Sequence, residues 1–157
     1  MEDQSVLHST FVVERSYPCS PERVFAAFAD PVKKRRWFVD REGNEVEHFE
    51  LDFRVGGKEN TCIRYLNDSP IKGMTITNDT IFQNIVPNRR IVFASSMMLG
   101  ENCISATLVT VELLPSESGT DLVFTHQGAF FEGSGGPAMR EAGWHTLLER
   151  LAQELLR

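Results

Sequence analysis

The chain has 157 residues, 41% hydrophobic and 24% charged, with a net charge of −6. That length suits one domain with a real core, and the composition excludes a disordered, collagen-like or disulfide-scaffold chain. The acidic balance argues against a nucleic-acid footprint, and no apolar run reaches the roughly 18 residues of a membrane span.

Residues 1–6 read as a flexible tail before a single domain over 7–157. The start, Met1-Glu2-Asp3-Gln4, lacks the basic-then-apolar pattern of a signal peptide. Cys19, Cys62 and Cys103 are scattered with no CxxC pair. Both features predict a cytoplasmic protein with reduced thiols.

From Leu7 to Tyr17, Phe11, Val13 and Tyr17 alternate with Val12, Glu14 and Ser16, which predicts a strand. Ser20-Pro21 then supplies a cap and a first-turn proline, and Val24, Phe25 and Phe28 give a short helix its apolar side. Asp30-Pro31 repeats the signal for a second short helix carrying Lys33 to Trp37. The basic run Lys33-Lys34-Arg35-Arg36 reads as that helix's solvated face, with contact to an acidic partner as the alternative.

The middle predicts strands. Over 46–55, Phe49, Leu51, Phe53 and Val55 alternate with His48, Glu50, Asp52 and Arg54, and Gly56-Gly57 marks a turn. Further strands are expected near 58–66, 72–86, 90–99, 103–114 and 120–129, joined by turns at Asn67–Pro70, Pro87-Asn88 and Pro115–Gly119. Gly133–Pro137 reads as an entry loop, with an anion cradle as the other reading. At the end, Trp144, Leu147, Leu148, Leu151 and Leu155 form a helical stripe. Arg140, Glu141, His145, Glu149, Arg150 and Glu154 are assigned to the opposite side. The order predicts an α+β fold: a curved, antiparallel seven-stranded sheet around a long C-terminal helix, with two short helices after strand 1.

The chemistry-bearing motifs are few. His8, His48, His126 and His145 form no i, i+4 pair, and nucleotide-loop and nucleophile-elbow motifs are missing, so no metal and no cofactor is expected. His126 continues the alternation Leu122, Phe124, His126 and should share their buried face. It either orients a ligand or is a core histidine held by a neighbour. A curved sheet gripping one helix leaves an apolar cavity, the natural binding site of such an architecture. The residues expected around it are Trp37, Met74, Phe82, Phe93, Phe124, His126, Phe130, Met139 and Trp144.

Several stretches carry a family resemblance. They are Ser20-Pro21-Glu22-Arg23-Val24-Phe25, Phe53-Arg54-Val55-Gly56-Gly57, Ile85-Val86-Pro87-Asn88-Arg89-Arg90, Thr125-His126-Gln127-Gly128 and Arg140-Glu141-Ala142-Gly143-Trp144. In order and spacing the chain resembles the activator of heat-shock protein 90 ATPase homologue family, of the START-like (SRPBCC, Bet v 1-like) superfamily. The resemblance runs from about Phe11 to Leu155. It implies the helix-grip fold and a cavity that in superfamily members takes lipids, hormones or polyketides. It does not imply chaperone stimulation, since the family's co-chaperone carries an additional N-terminal domain where this chain has a short tail. No catalytic set is carried over. The expected function is binding of an apolar or amphipathic small molecule, by a monomer or dimer, with no nucleic acid and no membrane span. A polyketide cyclase or dehydratase-type enzyme in the same cavity and a chaperone-interaction module are the alternatives.

Overall fold

The computed structural model describes residues 6–157, so most of the expected N-terminal tail lies outside the described residues. The first strand, β1 (Leu7–Tyr17), is followed by α1 (Pro21–Ala29) and α2 (Pro31–Lys34), which runs into a π-helical turn at Arg35–Val39. Then come β2 (Asn44–Leu51), β3 (Lys58–Tyr65), β4 (Thr75–Val86), β5 (Arg90–Leu99), β6 (Asn102–Ser116), β7 (Gly119–Phe130) and α3 (Pro137–Leu155). The strands form one seven-stranded sheet in the order β1-β7-β6-β5-β4-β3-β2. Every pairing is antiparallel. The expected α+β grip is present.

The caps act where the sequence places them. Ser20 Oγ accepts from Arg23 N at 3.3 Å, and Asp30 Oδ1 accepts from Val32 N at 2.8 Å. Asp30 ends one helix and starts the next, because Pro31 fits a first turn and disfavours helical geometry in the residue before it. β1 and β2 are opposite sheet edges, so the connection holding α1 and α2 crosses the whole sheet. The π-helical turn closes with Asp40 N donating to Arg35 O at 2.9 Å. It continues the second short helix beyond Trp37, the end expected from the sequence.

Two strands differ from expectation. β2 ends at Leu51, and a bulge between Val46 and His48 breaks its alternation. Asp52–Gly57 instead folds back on itself, with Asp52 N donating to Lys58 O at 2.9 Å. The fold-back depends on Gly57, whose Cβ, if present, would lie 2.1 Å from Asp52 O. Phe53 still reaches the core edge-on to Phe82, 5.0 Å between centroids. β4 begins at Thr75 rather than 72, since Ile71–Gly73 belong to the preceding turn.

The core lies between the concave sheet face and the helices. Val13, Val111, Leu113, Leu122 and Phe124 from the sheet pack with Val24 and Phe28 of α1 and Leu148, Leu151 and Leu155 of α3. Tyr17 Oη donates to Leu148 O at 2.9 Å, tying β1 to the middle of α3. Burial pushes the Tyr17 phenol well above its ordinary pKa, so it remains a donor.

Candidate functional site

Along the strands the concave face changes character. β5 reads Ile91, Phe93, Ser95, Met97, Leu99 on that face, and β4 reads Phe82, Thr80, Asn78, Ile76 in the opposite direction. At the apolar end the rows fill the core. Where they turn polar, the sheet and α3 enclose a cavity of about 630 Å³.

Its floor is a row of small polar side chains placed directly opposite one another across strands. Thr61 faces Asn78, Thr80 faces Ser95, and Ser95 faces Thr107. Asn78 Nδ2 donates to Thr61 Oγ1 at 3.3 Å, the Thr80 and Ser95 hydroxyls bond each other, and Thr107 Oγ1 donates to Ser95 O at 3.4 Å. Phe93, Trp144 and Leu147 supply apolar wall. The rim is made by Ser69–Ile71 before β4 and Gly133–Gly135 before α3, with Met139 beside them and 65% exposed.

The roof has a gap at Gly143. It stands between Arg140 and Leu147 on α3 and lines the cavity, and a Cβ added there meets nothing within 4 Å. Glycine inside a helix costs about 1 kcal/mol relative to alanine. Here that cost leaves space over the floor.

Charged groups face the cavity from its walls: Lys34, Arg41, Glu59 and Arg140. On α2, Lys34 is buried and pairs with Glu59 Oε1 of β3 at 2.9 Å, both side chains about 5% exposed. Its ammonium also lies 4.6 Å from the Phe38 ring centroid. Glu59 Oε2 is buried with no hydrogen-bond partner. On α3, Arg140 donates from Nη2 to Ser105 Oγ at 2.9 Å and lies over the Phe130 ring at 5.2 Å. Beside it, His126 is 1% exposed and stacks on Phe11 at 4.5 Å, and its Nδ1 has no partner. Burial, helped by the Arg140 charge, pushes the His126 pKa down to about 4. The imidazole is therefore neutral at neutral pH.

Of the residues expected around the cavity, Phe93, His126, Met139 and Trp144 line it. Trp37, Phe82, Phe124 and Phe130 are buried one layer behind, packed ring against ring. Trp37 Nε1 donates to Ala27 O at 2.7 Å, which fixes it in the helix layer. Met74 sits at the turn into β4 and is not among the lining residues. The sequence reading missed Lys34, Glu59, Arg140, Gly143 and the polar floor. The floor was legible as a period-two row, Glu59, Thr61, Ile63, Tyr65, and Arg140 as the residue one turn before Trp144.

Arg140, Glu154 and Arg150, expected on the outer side of the C-terminal helix, are instead engaged within the fold. Arg140 shares the inward stripe with Trp144 and Leu147. Glu154 is 8% exposed and takes both Arg36 donors, at 2.9 and 2.6 Å. Arg150 donates to the carbonyls of Arg36 and Trp37 at 2.9 Å. The basic run is likewise no plain solvated face, because Lys34 and Arg36 are both bound within the chain. A second hollow on the outer sheet face, around Ala106, Leu108 and Ala129, has His8 as its one titratable lining residue. Among the described residues no three His, Cys, Asp or Glu side chains are grouped to hold a metal ion. No helix among them is long and apolar enough to cross a membrane.

A seven-stranded antiparallel sheet closed over a long C-terminal helix defines the helix-grip class. The sequence profile of the Activator of Hsp90 ATPase homolog 1-like family matches residues 18–155, and the chain belongs to that family. It is similar to the crystal structure of the Mll3558 protein from Rhizobium loti, with 49% identity and a TM-score of 0.84 over 96% of this chain and 99% of that one. It is also similar to an uncharacterized protein from Rhizobium leguminosarum, with 36% identity and a TM-score of 0.88 over 98% and 97%. DynU16, a protein of the dynemicin biosynthetic locus, shares the fold at 22% identity and a TM-score of 0.66, over 93% of this chain and 46% of that one. A comparison with curated proteins finds no match.

Proposed function

We propose that this protein binds a small amphipathic molecule in the cavity between α3 and the sheet. The observation that carries the reading is the cavity itself: about 630 Å³ with a polar floor under an apolar wall. That is the size of site that encloses a small organic ligand. The apolar body of the ligand lies against Phe93, Trp144 and Leu147, and its polar groups meet Thr61, Asn78, Thr80 and Ser95. The reading places the protein in the cytoplasm, where three free thiols, Cys19, Cys62 and Cys103, stay reduced.

A second reading is catalysis in the same cavity, of the cyclase or dehydratase type. The unpartnered Glu59 Oε2 and His126 Nδ1 favour it, since an unbonded acceptor in a closed site is placed to take a proton. A chaperone-contact role for the basic run gains less support, with Lys34 and Arg36 committed internally.

Native mass spectrometry of gently purified protein, soaked with a mixed small-molecule extract, tests the binding reading. The expected spectrum shows a one-to-one adduct lost on denaturation. Only bare protein across chemically varied extracts would count against it. Catalysis predicts a further sign, conversion of the bound compound that stops in Glu59→Gln or His126→Leu protein.

A further inference from the structure

The geometry points to a carboxylate-recognition subsite formed by Arg140 and His126, with Ser105 holding the guanidinium in place, so that the ligand is an amphipathic organic acid. This inference rests on the ligand-cavity reading and names the chemistry of the ligand's head group.

Arg140 carries a charge into the cavity wall with neutral partners only. Its Nη2 donates to Ser105 Oγ at 2.9 Å and lies 3.3 Å from Met97 Sδ, and its guanidinium lies over the Phe130 ring. Among the described residues no carboxylate lies within salt-bridge distance of it. Burial alone lowers its pKa, as expected where no anion offsets the lost hydration. A thioether is a weak acceptor, so most of the donor fork is unused.

Independent observations mark the same wall. His126 lines the cavity, is 1% exposed, and its Nδ1 has no partner although it is buried. A neutral imidazole offers one N–H to an incoming oxygen, with the tautomer set by the ligand. The N-terminus of α3, a 19-residue helix, lies at this wall through Gly135 and Met139, and Gly136 gives it no side-chain cap. Its positive end favours an anion there.

The charge balance selects the head group. Lys34 is already neutralised by Glu59. Arg41 also lines the cavity without a carboxylate partner, but it is more exposed to water than Arg140. Arg140 is the partly buried guanidinium left without a carboxylate, and a ligand carboxylate would balance it. A planar guanidinium fork fits a carboxylate with paired hydrogen bonds.

Pyrenebutyric acid and pyrenebutanol, matched in body and differing in head, provide the test by fluorescence titration. The expected result is that the native protein binds the acid about tenfold or more tightly than the alcohol. Arg140→Gln should erase that preference while leaving alcohol binding within about twofold, a change too small to be a lost hydrogen bond. Arg140→Lys should keep part of the preference, which guards against misreading a folding defect. Equal affinity for acid and alcohol in the native protein overturns the carboxylate subsite and leaves the cavity reading standing. A preference that survives Arg140→Gln overturns the assignment to Arg140. Saturable binding of neither probe overturns both this inference and the reading beneath it.

Discussion

An imidazole walled in by Phe11, Phe124 and Phe130, with Arg140 as the charged group against it, resists protonation. The His126 pKa falls from its ordinary 6.5 to about 4. Between those values the unfolded chain binds a proton that the folded chain refuses. Stability therefore rises with pH across that window and is lost as pH falls from 6.5 toward 4. The loss should reach roughly 2–3 kcal/mol, allowing for water that reaches the ring through the cavity. Urea titrations at several pH values check this. His126→Leu should remove most of the slope, and an unchanged slope would mean that another group carries it. The inward direction of His126 was legible from its place after Leu122 and Phe124. The companion charge, Arg140, was assigned to the outer face because it is charged, although its spacing, four residues before Trp144, puts it on the inward stripe.

At the scale of elements, α2 is fixed to the sheet by the Lys34–Glu59 pair, with Lys34 over the Phe38 ring. Removing one partner of a buried pair strands the other charge, which typically costs about 3–5 kcal/mol. Glu59→Leu should show a loss near the low end of that range, since the cavity admits water. The double variant Lys34→Met with Glu59→Leu should recover most of it, as apolar replacements of a buried pair are often neutral. Thermal and urea melts of the single and double variants check this. A double variant as unstable as Glu59→Leu alone would show that the pair is not the anchor. The sequence marked this element well at its start, through Asp30-Pro31, and poorly beyond. A run of four basic residues looks like a wet face by composition. The carboxylate of Glu59 holds Lys34 inward from α2, and Arg36, inside the π-helical turn that follows, reaches Glu154. Sequence pattern reports the period of an element but not a change of period within it.

For the whole molecule, the meander of β2 to β7 and the helix grip followed from short turns and a single long apolar stripe, whereas the pairing of β1 with β7 did not. The cavity followed only in outline. Of the expected Trp and Phe lining, Phe93 and Trp144 face the cavity and the rest lie behind it, because aromatic residues fill space. Trp37 packs on Phe28 and Phe38, Phe82 on Phe53 and Phe93, and Phe124 on Phe11 and Trp144, which closes the core, and the space is left where the rows turn to Thr, Ser and Asn. The residue that bears most directly on the central claim is Gly143, a helical glycine over open space. Gly143→Leu should fill the cavity and favour the helix by up to about 1 kcal/mol. The decisive measurement is a pyrenebutanol titration of native and Gly143→Leu protein, each first shown by melting to be folded. The account predicts one-to-one saturable binding by the native protein and at least a tenfold loss, about 1.4 kcal/mol, in the variant at undiminished thermal stability. Undiminished binding by a folded Gly143→Leu protein would contradict it.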